Sequence, residues 1–258
     1  MIKILTVGNS FSEDAHAWIK EICDDGGVDI MAVCPYIAGC SFKRHCDRIE
    51  SGAADYEIIV NGKRTGRFAT FDEVAQMEQW DIIAFNQGSV QAGRPFAYFP
   101  YLDIMIKGFL KYSPNAKLYM YETWAYELDA THPYFPVYNC DQKEMWRRTS
   151  DCYKMAADLL EIPIIPVGDV IQHLRENVPE FDYKNGGMSL NRDGFHLSEI
   201  YGRYAAGLTF YYSLFKGDLS KIDFLPYCND MVADKEIIEK IKAAVKEVVD
   251  KVPEEDDL

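Results

Sequence analysis

The stretch that decides the fold is KILTVGNSFSEDA, residues 3–15. An apolar run at 2–7 stops at Gly8, and Asn9 and Ser10 follow before a segment with helical periodicity begins. A short apolar run bounded by turn residues is typical of a strand buried on both faces of a parallel sheet. The stretch therefore predicts a first strand that places Ser10 just beyond its carboxyl end.

The helix predicted after this strand spans about residues 13–24. Ser12 precedes Glu13 and Asp14. A serine followed by acidic residues is a typical helix start, because the hydroxyl and carboxylates interact favourably with free backbone N–H groups. We therefore expect Ser12 to be the N-cap of this helix and Ser10 to stand in the loop before it.

The same alternation of apolar runs and amphipathic segments continues along the chain. Strands are predicted at 2–7, 30–34, 82–85, 118–121 and 162–166. Helices are predicted at about 13–24, 72–79, 96–112, 141–160, 167–177, 198–214 and 234–252. This order predicts an α/β fold with three α/β/α layers and a doubly wound, five-stranded parallel sheet of the flavodoxin-like kind.

One insertion interrupts this alternation. Residues 56–70 contain two short strand-like runs on either side of Asn61-Gly62, a hairpin turn signal. We expect a small β-hairpin that projects from the sheet edge or borders the site. The whole of 1–252 is predicted to form a single domain, and PEEDDL at 253–258 is predicted to be a solvated acidic tail.

The composition indicates one globular chain and argues against two classes of partner. The 258 residues are 48% hydrophobic, which suffices for a full core. The net charge of −14 opposes binding to nucleic acid or to an anionic membrane surface. Seven scattered cysteines without a Cys-x-x-Cys pair predict neither a disulfide framework nor a zinc site. We expect a cytoplasmic protein without cofactor or metal, unless a signal peptide has been removed.

Polar and glycine-rich segments follow the predicted strands, where ligands of open parallel sheets bind. They are GNS at 8–10, YIAGCSFKRH at 36–45, NQGSVQAG at 86–93 and ETWAYELDATHPYF at 122–135. A further segment, LNRDGFHLSE at 190–199, places Asp193 three residues before His196. A carboxylate at that spacing can accept the imidazole Nδ1–H and leave Nε2 free as a base. Taken alone, this pair more often marks a surface polar loop before a helix, because short motifs match by chance.

Together, these motifs resemble those of the SGNH (GDSL-like) hydrolases over nearly the full chain. Ser10 in GNS is similar to the nucleophile block, Gly39 to the glycine of the second block, and Asp193 and His196 to the last block. The segments VGNSFSEDA and NQGS are similar to an uncharacterised bacterial branch of that superfamily. The resemblance implies a catalytic triad of Ser10, Asp193 and His196, with backbone N–H groups of Ser10 and Gly39 in the oxyanion hole.

The third block departs from the family pattern. Most members have Gly-x-Asn-Asp there, whereas this chain has Asn86-Gln87. Carbohydrate acetylesterases of the superfamily often carry a Gln-Gly pair, to which Gln87-Gly88 is similar. Successive residues of an extended segment point in opposite directions, so one amide is expected to face the oxyanion. We predict Gln87 as that donor and keep Asn86 as the alternative.

The resemblance implies a serine esterase that removes a short acyl group, acetyl above all, from a small molecule or an oligosaccharide. Asn9 and the aromatic residues Trp124 and Tyr126 are candidates for contact with such a substrate. The aromatic residues serve equally well as loop anchors, and the Asn9 side chain is expected to hold its own loop by hydrogen bonds. Two alternatives remain open. One is a lipase, thioesterase or arylesterase of the same fold, and the other is a non-catalytic module that binds an anion or a glycan. The oligomeric state is not predicted.

Overall fold

The computed structural model describes residues 1–252, so the predicted tail at 253–258 lies outside the described residues. Seven strands form the main sheet: β1 (Ile2–Val7), β2 (Ile30–Tyr36), β3 (Tyr56–Val60), β4 (Lys63–Ala69), β5 (Ile82–Phe85), β6 (Lys117–Tyr121) and β7 (Ile164–Ile165). Two short strands, β8 (Tyr227–Cys228) and β9 (Met231–Val232), form a separate hairpin.

In the described part of the chain, ten α-helices connect and cover these strands. They are α1 (Ser10–His16), α2 (Ile19–Asp25), α3 (Phe42–Ser51), α4 (Phe71–Gln76), α5 (Ser89–Ala92), α6 (Tyr101–Leu110), α7 (Gln142–Leu160), α8 (Val167–Asn177), α9 (Tyr201–Phe215) and α10 (Lys235–Val249). No helix among residues 1–252 is long and apolar enough to cross a membrane.

The strand order is β4-β3-β2-β1-β5-β6-β7, with β2, β1, β5, β6 and β7 parallel. These five are the predicted parallel strands, and their order is that of a flavodoxin-like sheet. The α/β/α prediction is confirmed. The hairpin of β3 and β4 is antiparallel and pairs with β2, so it extends the sheet to seven strands instead of projecting from it.

Alternate side chains of the five parallel strands enter two separate cores. On β1, Ile4 contributes to the core beneath α1, α2, α8, α9 and α10, whereas Leu5 contributes to the core beneath α3, α4 and α6. This division follows from the period of two along a strand, since both faces of a parallel sheet are covered.

The first helix begins two residues before the predicted N-cap. Asn9 is extended and its side-chain oxygen accepts a hydrogen bond from the Phe11 N–H, so Asn9 is the cap and Ser10 is the first helical residue. Ser12 is fully buried, and its hydroxyl donates to Asn86 Oδ1 at 2.5 Å. The prediction that Ser12 caps the helix was wrong because Ser12 bonds to the neighbouring strand end, and an asparagine caps equally well.

Candidate active site

Ser10, Asp193 and His196 lie together at the carboxyl edge of the sheet. Ser10 Oγ is 2.9 Å from His196 Nε2, and His196 Nδ1 is 2.7 Å from Asp193 Oδ2. Because an ionised carboxylate only accepts, Nδ1 carries the proton and Nε2 accepts from the serine hydroxyl. The arrangement is a hydrogen-bonded relay from a serine through an imidazole to a carboxylate.

The local fold explains why Ser10 is accessible while its neighbours are not. Val7 ends β1 and is fully buried, and Asn9 is only 2% exposed, whereas Ser10 is half-buried. Ser10 occupies the first position of α1, whose leading N–H groups have no partner within the helix. The Ser10 N–H donates to no group among residues 1–252, which leaves it free for a ligand.

The Asp193 carboxylate is held in its charged form by three hydrogen bonds. Burial opposes its ionisation, but Nδ1–H of His196 and the backbone N–H groups of His196 and Phe195 outweigh that effect and lower the Asp193 pKa. A charged Asp193 fixes the tautomer of His196 and stabilises the imidazolium when it forms.

Asp14 connects the serine helix to the histidine loop, a role that the sequence did not reveal. Its carboxylate is fully buried and accepts three hydrogen bonds of 2.8 Å, from Arg192 Nη1, from Arg203 Nε and from the Leu197 N–H. Asp14 lies four residues after Ser10, and Leu197 directly follows His196. This carboxylate therefore sets the position of the histidine relative to the serine.

The other side of the histidine loop is held by Trp124, on the loop after β6, and by Asn191, which Arg175 of α8 supports. Trp124 Nε1 donates to the Phe195 carbonyl at 2.7 Å, and Asn191 Nδ2 donates to the His196 carbonyl at 3.3 Å. Arg175 Nη2 in turn donates to Asn191 Oδ1. These contacts restrain the backbone on both sides of the imidazole.

Gly39 lies beside the serine at the end of β2. Asn9 Nδ2 donates to the Cys40 carbonyl at 3.0 Å. Ser10 follows Asn9 and Gly39 precedes Cys40, so this hydrogen bond brings Ser10 and Gly39 close together. Gly39 has a φ of +58°, is exposed, and its N–H donates to no group in the part of the chain that the structure describes. The left-handed conformation, which favours glycine, leaves this N–H free.

The Gln87 side chain is hydrogen-bonded to three backbone groups of the site loops. Its Nε2 donates to the Ala97 carbonyl at 2.7 Å, and its Oε1 accepts from the N–H groups of Phe42 and Gly88, both at 2.9 Å. Gln87 and Asn86 are both completely buried, so their hydrogen bonds distinguish the two amides. The prediction that the Gln87 amide donates to an oxyanion was wrong because Nε2 donates to the Ala97 carbonyl and Oε1 accepts from two loop N–H groups, and these contacts fix the orientation of the amide.

Asn86, the alternative, is placed differently. Its Oδ1 accepts from Ser12, while its Nδ2 is buried and has no hydrogen-bond partner among residues 1–252. The side chain also lies against Gly8, where a Cβ would come within 1.8 Å of Oδ1. Gly8 is therefore required so that Asn86 can approach the backbone next to the serine.

Three expected substrate contacts are structural instead. Asn9, Trp124 and Tyr126 are at most 2% exposed. Asn9 joins the loops at Cys40 and Gln87, Trp124 stacks on Phe11, and the Tyr126 hydroxyl bonds to Ser89. The expectation of substrate contact was wrong because these side chains are covered. The loop-anchor interpretation describes both aromatic residues, and the predicted loop-holding role of Asn9 is confirmed.

A buried histidine and a buried cysteine near the site have structural roles. His45 Nε2 donates to the Gly8 carbonyl at 3.0 Å, and its Nδ1 accepts from the Tyr56 hydroxyl at 2.9 Å. Burial lowers the pKa of His45 to about 4 and raises that of Cys40 to about 12. His45 is thus a neutral link that holds the serine loop, and Cys40 is an unreactive thiol. Among residues 1–252, no group of three or more His, Cys, Asp or Glu side chains is arranged to hold a metal ion.

Comparison with known proteins agrees with this architecture. Residues 3–246 match a family described as "Domain of unknown function (DUF4886)". A DUF4886 family protein from Bacteroides uniformis superposes with a TM-score of 0.85 at 30% identity, over 97% of this chain and 95% of that protein.

More distant relatives share the fold. A protein from Slackia heliotrinireducens, described provisionally as an SGNH hydrolase, superposes with a TM-score of 0.54 at 17% identity, over 81% of this chain and 96% of that protein. No curated protein sequence gives a significant match. By its sequence match and its closely similar structure, the chain belongs to the DUF4886 family, an uncharacterised branch of the SGNH hydrolase fold.

Proposed function

We propose that the protein is a serine esterase that hydrolyses short-chain acyl esters, acetyl esters of carbohydrates in particular, through an acyl-enzyme on Ser10. The observation that carries the proposal is the pair of contacts from Ser10 Oγ to His196 Nε2 at 2.9 Å and from His196 Nδ1 to Asp193 Oδ2 at 2.7 Å. Nucleophile, base and orienting carboxylate stand in the order and at the distances that acyl transfer requires.

In the first half-reaction, His196 takes the Ser10 proton while Oγ forms a bond to the ester carbonyl carbon. His196 then passes that proton to the alcohol oxygen as the ester bond breaks, which leaves the acyl group on Ser10. In the second half-reaction a water loses its proton to His196 and attacks the acyl-enzyme. The carboxylic acid leaves, and Ser10 regains its proton.

The oxyanion hole is assigned to three donors that have no hydrogen-bond partner among residues 1–252. They are the N–H of Ser10, the N–H of Gly39 and Nδ2 of Asn86. A buried N–H without a partner is costly. At Asn86, Nδ2 gains a hydrogen-bond acceptor when the tetrahedral oxygen becomes charged. An interaction that forms only at that stage stabilises the transition state and not the bound ester.

A short acyl group is supported by the narrow space between two site loops. A Cβ on Gly88 would lie 3.1 Å from the Cys40 carbonyl oxygen and 3.4 Å from that of Gly39. The loops that follow β2 and β5 therefore meet closely behind the oxyanion hole. An anion-binding module accounts less well for the site, because it gives no role to the contacts among Ser10, His196 and Asp193.

The test is hydrolysis of p-nitrophenyl esters of 2 to 12 acyl carbons by the wild type and by Ser10→Ala. We expect activity that falls with chain length, and a loss of about 10⁴-fold or more in kcat for the variant. Circular dichroism of both proteins controls for folding. Equal rates from a folded Ser10→Ala protein would refute the proposal.

A further inference from the structure

His132, on the loop after β6, lies beside the His196 loop and takes no part in the triad. Its ring packs edge-on against Phe195 with centroids 5.1 Å apart, and the Phe195 ring lies 4.2 Å from that of His196. The two loops are also bonded directly, because the Glu127 N–H donates to the Gly194 carbonyl at 2.7 Å. His132 is therefore one aromatic ring away from the proposed catalytic base.

The orientation of the His132 ring is fixed and leaves one donor free. Nδ1 accepts from the Tyr134 N–H at 3.3 Å, so the neutral ring carries its proton on Nε2. No group in residues 1–252 accepts a hydrogen bond from Nε2. Burial first, and the nearby His196 second, lower the pKa of His132, which favours this neutral form.

The position of His132 indicates which half of the substrate it meets. His196 must pass its proton to the alcohol oxygen, so the alcohol half of the ester lies against the histidine side of the cleft. The proposed oxyanion donors lie on other loops, Gly39 after β2 and Asn86 after β5, whereas His132 packs against the histidine loop through Phe195. A free N–H and the adjoining Tyr134 ring, 48% exposed and 5.9 Å from the imidazole, thus border the leaving group.

We propose that His132 is a specificity residue whose Nε2–H donates to a hydroxyl or ring oxygen of a polyhydroxylated alcohol. The inference rests on the proposed esterase function and deepens it by assigning the recognition of the leaving group. A hydrogen-bond donor beside an aromatic face suits a sugar, which presents oxygens at its edge and C–H groups on its face. A p-nitrophenyl or simple alkyl leaving group has no hydroxyl to accept this bond.

The experiment compares His132→Phe with His132→Gln on two kinds of acetyl ester. Phenylalanine keeps the packing on Phe195 and Tyr126 but removes the N–H, whereas glutamine retains an N–H donor. The substrates are acetylated methyl glycosides of glucose and xylose, and p-nitrophenyl acetate. We expect His132→Phe to lower kcat/KM on the glycosides by about 10-fold while the rate on p-nitrophenyl acetate stays within about 2-fold. His132→Gln should restore most of the loss.

The outcomes separate this inference from the function beneath it. Equal losses on both kinds of ester, no loss on the glycosides, or a wild type that cleaves only p-nitrophenyl acetate would overturn the role of His132 and leave the esterase intact. A wild type that hydrolyses no ester would overturn both. A loss confined to glycosides, with rescue by glutamine, supports the proposal because a structural role of the ring affects both substrates alike.

Discussion

The connection through Asp14 leads to a prediction that distinguishes placement of the triad from its chemistry. Asp14→Asn keeps the volume of the side chain but removes its charge and replaces one acceptor oxygen with an N–H donor. That donor would face Arg192, Arg203 or the Leu197 N–H, all of which donate in the native protein. At least one of the three hydrogen bonds is lost, and the histidine loop loses its charged connection to α1.

The loss in the free energy of unfolding follows from how deeply each of these charged groups is buried. Breaking a fully buried ion pair costs about 3–5 kcal/mol, but the Arg192 and Arg203 side chains are 29% and 20% exposed and still reach water. We therefore expect a loss of about 3 kcal/mol in the free energy of unfolding, nearer the lower limit. For a domain of this size that corresponds to a fall in Tm of roughly 6–12 °C.

Activity should fall as well, although Asp14 does not touch the reacting atoms. Leu197 directly follows His196, so a relaxed Leu197 backbone moves the imidazole away from Ser10. A misplacement of about 1 Å in a catalytic group costs about 100-fold in rate. We expect kcat on p-nitrophenyl acetate to fall by about that factor at a temperature where the variant is fully folded.

The assay pairs thermal melts with steady-state kinetics, and Glu13→Gln is the matched control. Glu13 is the neighbouring carboxylate of the same helix, but it pairs with the exposed Arg64 at the surface. Surface ion pairs contribute about 0–1 kcal/mol, so this control should melt and react nearly as the wild type does. Unchanged Tm and kcat in Asp14→Asn would refute the reasoning, as would a fall in Glu13→Gln as large as in Asp14→Asn.

Two further predictions concern the oxyanion hole and the buried histidines. Asn86→Ala should lower kcat by about 10²–10³-fold, because it removes the proposed Nδ2 donor. Steady-state kinetics should show a larger change in kcat than in KM. Burial lowers the pKa of His16 and His45 to about 4, so unfolding below the ordinary histidine pKa takes up protons. The free energy of unfolding should therefore fall as pH drops from about 6.5 to 4, by up to about 3 kcal/mol per histidine, as measured by denaturant titrations.

Two control variants test whether these effects come from the oxyanion donor and from the buried histidines. Gln87→Ala removes loop contacts but not the proposed Asn86 donor, so it should lower Tm more than it lowers kcat. A fall in kcat for Gln87→Ala that exceeds that of Asn86→Ala would return the donor role to Gln87. His16→Gln should flatten the slope of stability against pH between 6 and 5. A slope equal to that of the wild type would show that His16 does not titrate on unfolding.

The five parallel strands and the loops that carry the site were predictable because each depends on local patterns. A buried strand requires a continuous apolar run, and the turn after it requires residues such as Gly8 and Asn9. The spacing of Asp193 and His196 is equally local, since three residues bring the carboxylate to the imidazole within one turn. The sequence by itself therefore determined the fold class and the candidate triad.

Contacts between distant segments were decided only by the tertiary structure. Asn86 and Gln87 are both polar residues at one strand end, and nothing local distinguishes the amide that bonds to Ala97 from the one left without a partner. Likewise, Asp14 has the local pattern of a solvated first-turn residue, yet two arginines about 180 residues away enclose it. The role of a polar side chain depends on the partners it meets when buried, and those partners come from other strands and loops.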